Sequence, residues 1–275
     1  MQTSPVSTRP RKVTSVGVDE LRAAWKAIEA GQFGPSAKPA ANQIDKPTPR
    51  VTGPAQGPSK GWVPGAKESV IAVLGALGSA GTTTVALSMG TAAGSGVRLV
   101  ESCSASASGL IAAASAELGD QGAWRRGRRD GVLLLWRRNN DLAPVPGPTE
   151  AGLTVVDLGS GPLSGWPASA LAEAPALVLV TRATVPGLRR LERELERHTL
   201  SNLALAVVGP PLKRWPKVLT LGLGDRTQEL VGDGRLVCVP VDRTLAITGL
   251  TPELLPPALV SAGGRLHALL GKEPS

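Results

Sequence analysis

The stretch VIAVLGALGSAGTTTVAL, residues 70–87, decides how the rest of the chain is interpreted. An apolar run predicts a buried β-strand over residues 70–75, and a helical pattern follows over 83–93. Between them lies GALGSAGTTT, residues 75–84, whose three glycines allow a tight turn and a close approach to a ligand. Because a helix N-terminus presents free N–H groups, we expect this turn to bind a phosphate group.

Apolar runs that predict further strands continue almost to the C-terminus. They lie at residues 97–101, 132–136, 153–158, 176–181, 203–209 and 235–240, and helices are predicted at 105–118, 185–199 and 252–270. Strands that are apolar throughout are typical of a parallel sheet covered by helices on both faces. Seven such strands with right-handed crossovers predict a three-layer α/β/α domain, with a mostly parallel central sheet, over residues 69–275.

Residues 1–68 have a different composition. They contain nine prolines and almost no apolar residues between 34 and 61, so we expect a disordered tail rather than a packed domain. Within the tail, residues 18–31 place Leu21, Trp25 and Ile28 on one helical face. We expect this short amphipathic helix to bind a protein partner or the chain's own domain.

The net charge of +8 is unevenly distributed. Residues 1–68 hold ten basic and five acidic residues, and residues 124–138 hold six arginines and one aspartate. Each of these two segments therefore carries +5, and the remaining residues carry a net charge of −2. Clustered positive charge of this kind attracts phosphate backbones or acidic partners, so contact with DNA is expected in these segments rather than at the glycine loop.

The composition also excludes several kinds of site. The chain has no tyrosine, which removes a Tyr-based general acid, and its two histidines and two cysteines are too few and too scattered for a zinc site. No apolar run reaches the roughly 18 residues of a membrane span. The polar N-terminus lacks the apolar core of a signal peptide, so we expect a cytoplasmic protein.

The glycine loop fits two phosphate-binding patterns, each with one mismatch. The P-loop pattern is met at Ala76, Gly81 and Thr83, but Thr82 occupies the lysine position. A dinucleotide-binding G-x-G-x-x-G pattern is also met, except that alanine replaces its first glycine. In that interpretation Glu101, which lies 20 residues after Gly81, would be the ribose-binding carboxylate. The spacing within the loop does not decide between the two.

The chain from about residue 70 onward resembles the ParA/MinD family of deviant P-loop ATPases. The resemblance rests on five segments in the same order as in that family: VIAVLGALGSAGTTTVAL, VRLVE, LTVVDLGSGP, ALVLVTRATVPGLRRLERELE and VCVPVDRTLAITG. It implies a P-loop NTPase-like fold, with ATP and Mg²⁺ as cofactors. It also implies two copies of the chain that pair across the nucleotide.

The resemblance assigns roles to individual residues. Thr83 and Asp157 are matched to the Mg²⁺ site, and Pro240 and Asp242 to the vicinity of the base and ribose. The residues matched to the nucleotide-binding loop are Gly78, Ser79, Ala80, Gly81, Thr82, Thr83 and Thr84.

The sequence departs from the family at four places. The two loop lysines correspond to Leu77 and Thr82, and the second carboxylate after the second strand corresponds to Cys103. Around residues 209–210, Gly-Pro replaces the asparagine that recognises adenine. We therefore expect a degenerate nucleotide site and assign no catalytic residue.

The family resemblance also suggests a cellular role and a way to bind DNA. Relatives of the ParA type bind DNA non-specifically through surface basic residues, and the candidates here are Arg125, Arg126, Arg128, Arg129, Arg137 and Arg138. The expected function is the partitioning or positioning of plasmid or mobile-element DNA, or of another cellular cargo. Two alternatives stay open: a dinucleotide-binding protein, and a DNA-tethering scaffold that works without nucleotide.

Overall fold

The structure is a computed structural model, and it describes residues 65–104, 108–131, 133–139, 147, 152–160, 176–198 and 202–271. All of these belong to one compact unit, Gln56–Ser275. The predicted N-terminal helix with Leu21, Trp25 and Ile28, and the tail around it up to residue 64, lie outside the described residues.

The described residues form one nine-stranded sheet. Its strands are β1 (Ser69–Gly75), β2 (Val97–Glu101), β3 (Ala116–Gln121), β4 (Trp124–Arg129), β5 (Leu133–Arg138), β6 (Leu153–Asp157), β7 (Ala176–Arg182), β8 (Leu203–Val208) and β9 (Leu236–Val239). The spatial order is β3-β4-β5-β2-β6-β1-β7-β8-β9. In this spatial order, all neighbouring strands from β5 through β2, β6, β1, β7 and β8 to β9 are parallel. At the other edge, β4 is antiparallel to both β3 and β5.

Six α-helices accompany this sheet in the described residues. They are α1 (Thr82–Ala93), α2 (Val185–Arg197), α3 (Lys217–Thr220), α4 (Asp225–Gly232), α5 (Arg243–Thr248) and α6 (Pro257–Leu270). Short 3₁₀ turns lie at Leu110–Ala112 and Leu212–Arg214. No helix in the described parts of the chain is long and apolar enough to cross a bilayer.

The two faces of the sheet bury separate hydrophobic cores. Along β1, Ile71 and Val73 face the core that contains α1 and α6, whereas Val70, Ala72 and Leu74 face the core that contains α2. Successive side chains of a strand point to opposite faces, which explains why a central strand here is apolar at almost every position. The predicted three-layer α/β/α architecture is confirmed.

Helices α1 and α6 pack closely because of one glycine. A Cβ atom on Gly263 would lie 2.4 Å from the backbone carbonyl of Ser88, a distance that no side chain can adopt. The helix backbones therefore approach each other directly at this point. This contact holds α1, and with it the glycine loop, against the body of the domain.

The prediction of a helix at residues 105–118 is wrong. In the described part of that segment, Leu110–Ala112 forms a 3₁₀ turn and β3 begins at Ala116. The tertiary contact that overrides helix propensity is the hairpin of β3 with β4, which is made possible by positive φ values at Gly119 and Gly122. The sequence analysis missed both strands of this hairpin.

The predicted boundaries of two other elements also change. The last helix begins at Pro257, five residues later than expected, because proline lacks an N–H group and suits the first turn of a helix. Strand β5 extends through Arg137 and Arg138, two residues beyond the end of the strand predicted at 132–136. The strands predicted at 70–75, 97–101, 153–158, 176–181, 203–209 and 235–240 agree with the structure to within one or two residues.

Candidate phosphate-binding site

The glycine loop leaves β1 at the carboxyl edge of the sheet and enters α1. Gly81 caps the helix with φ 93° and ψ 22°, a left-handed conformation that favours glycine. In the part of the chain that the structure describes, no backbone carbonyl accepts a hydrogen bond from the N–H groups of residues 78–84. These groups and the positive end of the helix dipole are available to an anion.

Thr83 and Asp157 meet directly below the loop. Asp157 ends β6, the strand adjacent to β1, and it pairs in register with Val73. The Thr83 Oγ1 hydroxyl donates a 2.6 Å hydrogen bond to Asp157 Oδ2, and the Gly159 N–H donates to Oδ1 at 3.0 Å. A hydroxyl and a carboxylate in contact beside a phosphate-binding turn form an oxygen-ligand set of the type that Mg²⁺ uses.

The Asp157 carboxyl group is completely buried. Burial disfavours the charged form and raises its pKa above the usual value, while the hydrogen bonds from Thr83, Gly159 and Cys103 oppose this shift. The carboxylate is therefore costly to keep ionised in the absence of a cation. A divalent ion would offset that cost by supplying a positive charge beside the carboxylate.

Glu101 and Cys103 lie beside Asp157. Glu101 pairs in register with Asp157, and its carboxylate accepts the Arg138 backbone N–H at 2.9 Å. Burial raises the pKa of Glu101, and the Asp157 charge raises it further. The Cys103 Sγ lies 3.8 Å from Asp157 Oδ2, and burial raises the thiol pKa. A protonated thiol thus occupies the place where the family resemblance calls for a second carboxylate.

The dinucleotide interpretation of Glu101 is wrong. In dinucleotide-binding folds the ribose carboxylate lies on the strand next to β1. Here β6 lies between β1 and β2, so the Glu101 strand is one position further away. The Glu101 carboxylate is also buried and already accepts a backbone hydrogen bond.

Two open cavities flank the glycine loop and share its residues 79–81 and 84. The first, of about 460 Å³, lies on the Thr83 side and is lined by residues of the loop together with Gly109, Gly159, Ser160, Gly249 and Leu250. The second, of about 410 Å³, lies on the α5 side and is mostly apolar. Its lining beyond the loop includes Arg182, Val208, Val239, Pro240, Val241, Asp242, Leu245, Ala246 and Leu259.

The second cavity contains both residues that were predicted near the base and ribose. Pro240 follows β9, and Asp242 is the N-cap of α5, where its Oδ1 accepts the Leu245 N–H at 2.8 Å. Asp242 therefore has a structural role in addition to its position at the cavity. The predicted nucleotide-contacting roles of Pro240, Asp242 and the loop residues stay predictions.

The lysine positions of the loop hold neutral residues that pack inward. Leu77 is half-buried and contacts both hydrophobic cores, while Thr82 is buried. A positive charge lies beside the loop on Arg182, at the end of β7. Its Nε donates a 2.9 Å hydrogen bond to the Ser79 carbonyl oxygen. The sequence analysis did not single out Arg182, although a cation directly after a buried parallel strand was a usable sign.

The predicted DNA-binding arginines fall into two groups. Arg125 and Arg128 on β4 are exposed, and Arg126 is half-buried. By contrast, Arg129, Arg137 and Arg138 are at most 5% exposed, because protein contacts surround their guanidinium groups. A buried guanidinium cannot reach a nucleic-acid phosphate in the folded protein, so Arg129, Arg137 and Arg138 are excluded as DNA contacts. Arg125, Arg126 and Arg128 stay DNA-binding candidates, and the two exposed side chains among them are Arg125 and Arg128.

Comparisons with known proteins support the fold assignment. No protein-family profile and no curated protein sequence matches the chain. Among solved structures, apo McdA from Cyanothece matches at a TM-score of 0.50 and 13% identity, covering 74% of this chain and all of that one. An ATP complex of a McdA variant from Cyanothece matches at a TM-score of 0.50 and 13% identity over 77% of this chain and 99% of that one.

A third match is the septum site-determining protein MinD from Pyrococcus horikoshii, complexed with Mg-ADP. Its TM-score is 0.49 at 15% identity, over 74% of this chain and 98% of that one. The two McdA matches at a TM-score of 0.50, together with the strand order and the loop position described above, show that the chain has a ParA/MinD-like P-loop ATPase fold. The fold predicted from the sequence resemblance is thereby confirmed.

Proposed function

We propose that this protein binds a nucleoside triphosphate with Mg²⁺ at the glycine loop and acts as a ParA/MinD-like positioning protein with a degenerate nucleotide site. The observation that carries the proposal is the 2.6 Å contact of Thr83 with Asp157 directly below the loop amides. Mg²⁺ held by these two residues would neutralise part of the negative charge of the phosphate groups. The residues present fit this ion, because the Thr83 hydroxyl and the Asp157 carboxylate are side by side.

The same site supports slow hydrolysis or none. The neutral residues Leu77 and Thr82 remove the lysines of the loop, and the Cys103 thiol removes a carboxylate that would help to position water. Electrostatic stabilisation of the transferred phosphoryl group is the main source of catalysis in this reaction class. We therefore expect the protein to bind the nucleotide and to hydrolyse it slowly or not at all.

Calorimetry with ATP and Mg²⁺ on the full chain tests this proposal. We expect saturable, Mg²⁺-dependent binding that Asp157→Ala weakens by at least about tenfold (~1.4 kcal/mol). The matched control is Asp233→Ala, which changes an exposed aspartate after α4 and leaves binding unaltered. Rapid turnover that Asp157→Ala abolishes would show an active ATPase and contradict the degenerate site. Absence of binding at millimolar ATP would contradict the nucleotide site itself.

The cargo that we propose is plasmid or mobile-element DNA, or another cellular cargo. Support comes from the resemblance to ParA-type proteins and from the exposed side chains of Arg125 and Arg128.

We further propose that two copies pair in the presence of nucleotide, and that Leu21, Trp25 and Ile28 bind a protein partner. Light scattering with and without ATP–Mg²⁺ measures the pairing; a mass that stays monomeric at saturating nucleotide contradicts it.

A DNA-tethering scaffold that works without nucleotide is the second candidate. It is favoured by the neutral residues at both lysine positions of the loop. A mobility-shift titration separates the two candidates. If DNA binding is equally tight with and without ATP–Mg²⁺, and calorimetry detects no nucleotide, the scaffold explains the protein better. If ATP–Mg²⁺ changes DNA affinity, the positioning proposal is favoured.

A further inference from the structure

The glycine loop lacks a cation of its own, although a nucleoside triphosphate carries several negative charges. Backbone amides and a helix dipole supply only partial charges. In P-loop proteins a lysine within the loop supplies the full positive charge. Here that position is Thr82, and the other lysine position of the family is Leu77. Any full charge on the protein side must come from another element.

Among the described residues that line the two cavities beside the loop, Arg182 is the single basic one. It ends β7, which pairs in parallel with β1 and aligns Val180 with Gly75, the residue where the loop begins. Two residues further along, the chain reaches Arg182 at the same carboxyl edge of the sheet. The side chain is exposed, so it is accessible to a ligand.

The contacts of Arg182 orient it toward the loop without neutralising it. Its Nε donates to the Ser79 carbonyl oxygen at 2.9 Å, which uses one of the five N–H donors of a guanidinium group. Within the described residues, no carboxylate forms an ion pair with Arg182. The guanidinium is thus held beside the phosphate-binding turn. Its charge and its remaining N–H donors are available there to a ligand.

We propose that Arg182 replaces the missing loop lysine and supplies the positive charge that binds the phosphate groups of the nucleotide. The inference rests on the proposed nucleotide site and adds the residue that makes it selective for polyphosphates. A guanidinium is suited to this position because it is always charged and forms two parallel hydrogen bonds to phosphate oxygens. The positive charge thus reaches the site from the neighbouring strand instead of from the loop itself.

Calorimetry on three variants of the full chain tests this role. Arg182→Ala is expected to weaken ATP binding by about tenfold to a hundredfold, the usual range for a charge-assisted contact. Arg182→Lys keeps the charge and should retain most of the affinity, whereas Arg182→Gln keeps a donor for Ser79 but loses the charge and should resemble Arg182→Ala. The matched control is Arg189→Ala, which changes an exposed arginine on α2.

The choice of ligands separates a phosphate contact from a role in shaping the loop. Adenosine has no phosphate, so its affinity should be the same in wild type and in Arg182→Ala, and the loss should grow from AMP to ADP to ATP. An equal loss for adenosine and ATP, or ATP binding by Arg182→Ala within twofold of wild type, overturns the inference while leaving the nucleotide site intact. Wild-type protein that binds no ATP overturns both.

Discussion

The antiparallel edge of the sheet and its glycine-loop end use arginine in opposite ways. Strands β4 and β5 carry six arginines, three of which are buried and bonded within the protein. The glycine loop has no basic residue, and one exposed arginine approaches it from β7. Charge density along a sequence therefore does not locate a binding site. Burial decides which charges hold the fold together and which stay available to a ligand.

Arg129 shows how a buried arginine works at the antiparallel edge. Its side chain has no exposed surface, and its Nη1 donates to the Ala113 and Thr251 carbonyl oxygens, each at 2.7 Å. Its Nη2 donates to the Glu253 carbonyl oxygen. One guanidinium therefore ties β4 to the turn before β3 and to the segment that precedes α6. Burial lowers its pKa, which the nearby Asp130 partly offsets.

Replacing Arg129 should have the largest effect on the protein. Arg129→Ala removes the donors for three carbonyl oxygens and opens a cavity, so we expect the free energy of unfolding to fall by about 3–5 kcal/mol. Chemical denaturation followed by circular dichroism measures this change. The control is the neighbouring exposed residue: Arg128→Ala should stay within about 0.5 kcal/mol of wild type. Equal stabilities of the two variants would contradict the distinction between buried and exposed arginines.

At the glycine-loop end, Asp157 should show a conflict between stability and function. Its buried charge destabilises the metal-free protein, so Asp157→Asn should raise the free energy of unfolding by about 0.5–2 kcal/mol. For a domain of this size each kcal/mol corresponds to about 2–4 °C in Tm. The same variant should lose Mg²⁺-dependent nucleotide binding. Thermal melts without Mg²⁺ and calorimetry with it give the two measurements.

The control for this variant is Asp233→Asn, which alters an exposed aspartate and should change neither quantity. A loss of stability in Asp157→Asn of more than about 1 kcal/mol would mean that the ionised carboxylate stabilises the fold. In that case Asp157 would be a structural residue like Arg129, and the contrast between the two ends of the sheet would fail.

The stability of the metal-free protein should also depend on pH, because ionisation of its buried carboxyl groups lowers the free energy of unfolding. The pKa values of Asp157 and Glu101 are raised in the folded state, mainly by burial. The folded protein therefore binds more protons than the unfolded chain between the ordinary carboxyl range and the raised values, and the contribution of these two groups to stability falls as pH rises through that window. Denaturation of metal-free protein at several pH values measures the slope, which Asp157→Asn with Glu101→Gln should reduce.

Much of this arrangement could be predicted from the sequence, because it depends on local patterns. The apolar strand before residues 75–84 predicted the loop, and the family resemblance placed Asp157, within the strand predicted at 153–158, at the Mg²⁺ site with Thr83. Parallel strands bring their carboxyl ends together, so Thr83 and Asp157 could be expected near each other. Their hydrogen bond agrees with that expectation.

The remaining features depend on contacts between distant segments. The hairpin at β3 and β4 pairs an exposed Ala-Glu-Leu-Gly strand with an arginine-rich one, and neither has the apolar alternation that predicts a strand. The burial of Arg129 depends on carbonyl oxygens more than 120 residues away in the chain. The position of Arg182 beside Ser79 depends on which strand neighbours β1, and the sequence alone does not specify that order.

The smallest expected effect concerns the exposed arginines of β4. The Arg125 side chain is 50% exposed, and its ion pair with the exposed Asp120 at 3.5 Å contributes little to stability. Replacing both Arg125 and Arg128 by alanine should leave folding unchanged and weaken DNA binding equally for all sequences. If each contacts one phosphate, the slope of log K against log salt should decrease in magnitude by about 1.8.

The matched control removes the same charge from another surface: Arg189→Ala with Arg190→Ala changes two exposed arginines on α2. A long-range effect of net charge would lower DNA affinity equally in both double variants, because both lose two positive charges. A direct contact would change the salt dependence only in the β4 variant. Equal slopes in the two variants would therefore remove β4 as a DNA-binding surface and leave its arginines, buried and exposed alike, without a role in binding.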